Sequence, residues 1–332
     1  MSAQAFIPTR RSLLAGFSAI GITTATGTGS AKQVSGLEIL GAPNASTIVL
    51  VRLLDSGGLA SVAPGASFRL WRDTDELRAG IVSGRSRLFT TPTHVPANLA
   101  NRGLPLKLLG IVSMGHLSVV TSEPSIQNFT DLAGRPVLGF FRNDMPDLVF
   151  RADAKMEGLD PDKDVKLAYV GSPMEAAQLL AAGRVETAIL PEPAATAAIM
   201  MAKHQGKELR RALNLQDVWV SHKGGKGIPM AGIAVHASLL DEAPELPSLL
   251  ENGLPQAREW VFANRQAAAE LAERTMQFKA PMFLASLDHS GIDIVSAKTA
   301  KGELTAFYQT IHDFSPDTLG GRLPGDDFYL DL

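Results

Sequence analysis

Past its first thirty residues the chain alternates two kinds of hydrophobic pattern. Short continuous apolar runs read as buried strands, and the segments after them, with apolar residues every three or four positions, read as helices. Residues 37–41 form such a run, closed by Ala42-Pro43-Asn44, and the pattern predicts a helix over 47–54 stopped by Gly57-Gly58. A strand over 67–71, a helix over 75–82 ending near Gly84, a strand over 87–91, a helix behind Thr93 and a strand over 106–112 complete this set. The order then restarts. A strand over 136–141 precedes Asp144 and a helix that Gly158 stops, and a strand over 165–170 leads to Ser172-Pro173-Met174-Glu175, a capping box with proline in the first turn. That helix ends near Gly183, a strand follows over 186–190, and Pro193 opens another helix.

Strands and helices at this spacing build βαβ units and mainly parallel sheets. Ser83-Gly84-Arg85 and Ala182-Gly183-Arg184 stand before corresponding strands, each ended by a proline, so the two sets echo each other. The expected architecture is α/β, two Rossmann-like lobes joined by a two-strand hinge. Two further apolar strands, 117–121 and 231–235, bracket the second set and would supply that hinge if they ran side by side. This divides the chain into 32–121 with 230–332 as lobe one and 122–229 as lobe two. The last hundred or so residues are mostly helical, over 258–263, over 265–275 behind Asn264, and over 302–314, with Leu304, Phe307, Tyr308 and Ile311 at core spacing. They are expected to pack on lobe one.

Residues 1–31 have a different character. Arg10-Arg11 precedes a short, weakly hydrophobic, Gly- and Thr-rich stretch that ends in Gly29-Ser30-Ala31. This is the build of an export signal, too short to span a bilayer, and the paired arginines fit the twin-arginine type. Cleavage after Ala31 removes two arginines and no acidic residue. The formal charge of −3, from 31 basic and 34 acidic residues, then becomes −5. A chain without net positive charge is a poor general binder of nucleic acid. There is no cysteine, which removes disulfides, thiolate metal sites, cysteine nucleophiles and a lipidated N-terminal cysteine. The expected product is a soluble monomer exported to a periplasm.

In open α/β sheets ligands bind beyond the carboxyl ends of the strands. Four turns occupy that position: Ala42 to Ser46, Thr90 to Thr93, Phe141 to Asp144 and Pro191 to Pro193, two from each lobe. Facing turns make a cleft, and a hinge lets it close.

The series Asp131-Leu132-Ala133-Gly134-Arg135-Pro136-Val137, Gly158-Leu159-Asp160-Pro161, Leu180-Ala181-Ala182-Gly183-Arg184 and Pro191-Glu192-Pro193 resembles the second lobe of periplasmic solute-binding proteins for nitrate, sulfonate, taurine and thiamine-pyrimidine importers. The clear matches run from about Asp131 to Ala198 and concern scaffold more than ligand. The resemblance implies the type II periplasmic-binding-protein fold and a soluble receptor of an ABC importer, which hands a small anionic or zwitterionic solute to the permease and its ATPase. It also implies an interlobe pocket at Asn44, Ser46, Thr91, Thr93, His116, Arg142, Asn143 and Glu192.

These residues do not agree on a ligand. Arg142 offers a planar donor fork to an oxyanion, or else pairs with Asp144. Glu192 suits a cationic or amine-bearing solute. Thr91, Thr93 and Ser46 have hydroxyls for an oxyanion but serve equally as helix caps. Trp71, Phe140 and Phe141 would wall an aromatic or alkyl group, or pack in the core. No pair of the seven histidines has zinc spacing, and there is no Gly-x-Ser-x-Gly elbow. Neither a metal nor another cofactor is therefore expected, and no catalytic residues. The alternatives are an exported enzyme of the same fold and a receptor that reports occupancy to a membrane sensor.

Overall fold

The computed structural model describes residues 33–331; the expected export signal lies outside them. In chain order the first elements are β1 (Glu38–Gly41), α1 (Ile48–Asp55), β2 (Ser67–Leu70), α2 (Thr74–Val82), β3 (Ser86–Pro92), α3 (His94–Asn101) and β4 (Leu106–Ser113). Next come β5 (Leu117–Thr121), β6 (Pro136–Phe140), α4 (Met145–Met156), β7 (Lys166–Val170), α5 (Pro173–Ala181), β8 (Thr187–Pro191), α6 (Ala194–His204), β9 (Arg210–Asn214) and α7 (Leu215–Lys223). The chain continues through β10 (Ala231–His236), α8 (Ala237–Glu242), α9 (Leu246–Ala263), α10 (Arg265–Met276), α11 (Ala280–Ser286), β11 (Ile292–Ser296) and α12 (Lys301–Phe314).

Two sheets result. The first has the order β11-β4-β10-β3-β1-β2 and the second β7-β6-β8-β5-β9. Without the extra edge strand β11, the first reads β2-β1-β3-β10-β4, the same order as the second. The chain echo is thus a structural repeat. In each sheet one inner strand runs against its neighbours: β10 is antiparallel to β3 and β4, and β5 to β8 and β9; the edge strand β11 is antiparallel to β4 as well. The reason is geometric. β5 and β10 are the first strands after each crossing between lobes, so they enter a sheet from the edge where its parallel strands end.

This corrects the expected hinge. Residues 117–121 and 231–235 do not lie side by side; they sit in different sheets, and β5 belongs with the second lobe, not with lobe one. The lobes remain joined by two crossings, one at Met114–Gly115–His116 and one through α7 and the segment to Met230. The crossings pack backbone to backbone: Met114 N–H donates to Gly291 O at 3.0 Å and Ile228 N–H to Met114 O at 2.9 Å. Glycines permit these close approaches. A Cβ on Gly227, whose φ is +149°, would sit 2.1 Å from Met114 O, and one on Gly291, at φ +57°, would sit 1.8 Å from Gly115 O.

Both faces of each sheet are covered, so inner strands such as β4, β5, β8 and β10 are apolar almost throughout. One hydrophobic cluster runs through both lobes and includes Phe129, Phe150, Trp219, Phe307 and Tyr308. A second fills the other face of the first sheet beneath α1, α9 and α10, and a third lies beneath α5 and α6 of the second lobe. Of the C-terminal helices, α9 and α10 pack around α1 of the first lobe, whereas α11 also meets α6 and α12 meets α4 of the second; Leu304, Phe307, Tyr308 and Ile311 are buried. α9 begins earlier than its sequence pattern indicates, because Pro247 lies in its first turn and Pro255 inside it is tolerated. Among the described residues no helix is long and apolar enough to cross a membrane.

Candidate functional site

The four turns picked out at the strand ends converge. Ala42, Pro43 and Asn44 from the first, Pro92 from the second, Phe141 from the third and Pro191 from the fourth line one pocket between the lobes. Trp71, Met230 and Ala231 extend its wall on the first lobe, and Phe140, Met145, Pro146 and Pro173 on the second. His116 and Leu117, on the first crossing, form the floor where the lobes join. The cavity itself is about 60 Å³, a narrow slot between the lobes.

The walls are held by their own framework. Trp71 is buried, and its indole N–H donates to Thr90 O at 3.1 Å. Thr90 Oγ1 accepts the Ala42 N–H at 2.6 Å, while Thr47 Oγ1 donates to Ala42 O at 2.8 Å, so two threonines pin the first turn. Phe141 has φ +49° and Asn143 φ +61°. Such a conformation costs a bulky residue on the order of 1–3 kcal/mol. At this turn it accompanies contact across the cleft: the Phe141 ring lies 6.5 Å from that of Trp71 and 5.1 Å from that of Phe140.

Of the eight residues expected in the pocket, Asn44 and His116 line it. His116 Nδ1 is 2.9 Å from Ser113 Oγ, and its Nε2 bonds to no described residue. Burial pushes the His116 imidazole down to about 4, so it is neutral at physiological pH. Asn44 Oδ1 accepts the Ser46 hydroxyl at 2.8 Å, which directs buried Ser46 to the turn and away from the pocket. Thr91 Oγ1 donates to Pro92 O and Thr93 Oγ1 to Pro229 O, at 3.0 and 2.7 Å. Neither hydroxyl caps α3. Thr93 ties the strand end to the returning crossing, whereas Thr91 bonds within its own strand end.

The two charged candidates lie elsewhere. Arg142 is exposed, with its guanidinium 5.7 Å from the Tyr169 ring centre on the edge strand β7. It does not pair with Asp144. Asn143 is also exposed, and its N–H donates to Asp147 Oδ2. Glu192 is buried beneath its turn, where Oε1 accepts Arg211 Nε at 2.8 Å and Oε2 accepts the N–H and hydroxyl of Thr196. A carboxylate so fully engaged is a structural ion pair.

Sequence reading missed the contacts that bring the lobes together. Asp144 caps α4 by accepting the Met145 N–H, and also receives Arg78 Nη2 from the first lobe at 3.2 Å. His94 Nε2 lies 3.2 Å from its other oxygen. Burial by itself would raise the Asp144 carboxyl, but His94 and Arg78 hold it far below the usual carboxylate range. Glu192 O accepts the Ala45 N–H across the cleft at 3.3 Å. Arg78, His94 and Arg211 gave no sequence signal, since each meets its partner only through the fold; Met145 and Met230 read as ordinary core residues.

Among the described residues no group of three or more histidine, cysteine or acidic side chains could hold a metal ion. The architecture is that of the type II periplasmic binding proteins, two like-ordered α/β lobes around a cleft. A model of the NMT1-like family matches residues 127–276, the whole second lobe beyond β5 and part of the return into the first. The chain superposes on an ABC transporter protein from Parabacteroides distasonis with TM-score 0.72 at 20% identity, over 89% of this chain and 98% of that one. On the periplasmic aliphatic sulphonate binding protein of Escherichia coli the TM-score is 0.69 at 17% identity, over 89% and 95% of the two chains. On the periplasmic nitrate-binding protein of Synechocystis PCC 6803 it is 0.62 at 14% identity, over 87% and 84%. No curated relative matches by sequence. The resemblance read in the second lobe is thus supported by the family model and by solved folds alike.

Proposed function

We propose that this protein is an exported solute-binding protein of an ABC importer, a monomer that takes a small molecule between its lobes and presents the closed form to a permease. One observation carries the reading: two sheets of the same core strand order present their strand ends to a common pocket and are linked by two crossings. A lobe on each side of the ligand makes affinity depend on closure, and closure gives the permease a surface that only the loaded protein displays. Asn44 and His116 are the proposed polar ligand contacts. Ser46, Thr91, Thr93 and Glu192 are assigned to the turns that carry the pocket wall. Export through the twin-arginine route and residence in a periplasm belong to the same proposal, on the strength of Arg10-Arg11 and the periplasmic neighbours in fold.

The test is affinity selection of small molecules from a cell extract by the purified protein, with mass spectrometry of what is retained and small-angle scattering of the complex. Retention of one unchanged compound at one per chain, with compaction, is the expected result. Catalytic conversion of the retained compound would replace this reading with the enzymatic one.

A further inference from the structure

Among the described residues the pocket carries no charged side chain. Its walls are Trp71, Phe140, Phe141, Met145 and Met230 with several prolines, and its side-chain polar groups are Asn44 and His116. The provisions that the second lobe could make for an oxyanion are in use within the protein. Backbone N–H groups at the starts of the second-lobe helices point to protein side chains: Met145 N–H to Asp144, Asn143 N–H to Asp147, Glu175 N–H to Ser172, and Thr196 N–H to Glu192. Three of those four acceptors are carboxylates, so these second-lobe helix starts are occupied, whereas α1 and α3 of the first lobe begin without a side-chain cap or an acidic residue. The charged groups around the cleft are also matched: Asp144 with Arg78, Glu192 with Arg211, and Asp147 with Arg151 at 2.7 Å.

We infer that the cleft selects an uncharged solute with a flat aromatic or apolar body and one or two hydrogen-bonding groups, which the Asn44 amide and His116 Nε2 engage. This rests on the binding-protein reading and gives it a ligand class. A net charge brought into this pocket would lose its hydration and meet no counter-charge, whereas an amide or hydroxyl loses hydration that two polar side chains replace. Trp71 and Phe141 meet from opposite lobes with ring centroids 6.5 Å apart, so an aromatic body packed against both would draw on each lobe.

The experiment uses matched probes that differ in charge: benzamide against benzoate, nicotinamide against nicotinate, with benzenesulfonate, taurine and nitrate added. Binding to the purified protein is read by calorimetry and by the melting shift. The uncharged member of each pair is expected to bind at least about tenfold more tightly than its charged partner, equivalent to about 1.4 kcal/mol. Trp71→Ala should abolish that binding. Phe141→Leu, which keeps an apolar side chain, should weaken it severalfold with the melting point of the free protein little changed, and Arg142→Ala should leave it as it is. Tighter binding of a charged member, or no binding of any uncharged probe at millimolar concentration, overturns the ligand class. Compaction of the lobes by the compound selected from extract reads the binding function separately, so a charged extract ligand that closes the cleft would remove this inference and leave the binding reading standing.

Discussion

Arg78 and Asp144, on α2 of one lobe and at the head of α4 of the other, meet across the cleft at 3.2 Å, and the buried Asp144 carboxylate also lies 3.2 Å from His94 Nε2. Opening the lobes must break this contact and give Asp144 back to water. Asp144→Asn removes the charge and keeps the shape of the cap. The expected result is a shift toward the open form, seen as a larger radius of gyration in scattering, and a loss of ligand affinity of about fivefold to tenfold, since the free energy of one charge-assisted contact, about 1–2 kcal/mol, no longer favours closure. Unchanged scattering and affinity would show that the contact does not bias closure.

Glu192 and Arg211 form a second pair, this one within the second lobe and with the carboxylate almost wholly enclosed. Arg211→Ala leaves that carboxylate with Thr196 alone. A loss of about 3 kcal/mol in chemical denaturation is expected, because a buried charge without its partner costs more than the pair contributes. Glu192→Gln combined with Arg211→Met should recover most of the loss. If the double variant is no more stable than Arg211→Ala, the unpaired charge is not the cause.

His116 ties stability to pH. Its folded-state value near 4 lies below the ordinary 6.5, so the unfolded chain takes up the proton first as pH falls. The associated stability is complete above about pH 6.5 and is lost between there and pH 4, by up to about 3 kcal/mol. Urea titrations at several pH values in that window should show the loss in the native protein and a smaller slope in His116→Asn. An equal slope in both would assign the effect to other groups.

Gly227, on the second crossing, should tolerate no side chain. Gly227→Ala places a methyl group against Met114 O in a backbone conformation that L-residues rarely adopt. A loss of at least about 2 kcal/mol is expected, whereas Gly224→Ala, which meets no atom within 4 Å, should cost less despite its φ of +73°. Equal losses would make backbone conformation, and not the close approach to Met114 O, the main source of the destabilisation.

Much was legible before any coordinates. Hydrophobic period and capping residues located β1, α4, α5 and most other elements to within a residue or two, because each is set by neighbours a few positions away: Ser172 does accept the Glu175 N–H, and Asp144 does cap α4. The four turns of the pocket followed from strand order alone, since the carboxyl ends of parallel strands must lie on one edge of a sheet. Only the tertiary structure decided what those turns present. Arg142 and Glu192 stood as opposite charges on turns expected in the pocket, yet one reaches a solvated edge strand and the other is buried against an arginine 19 positions away. Side-chain direction at a turn, partnership across lobes and the neutrality of the pocket all depend on contacts between residues remote in sequence, and a local pattern carries no record of those contacts.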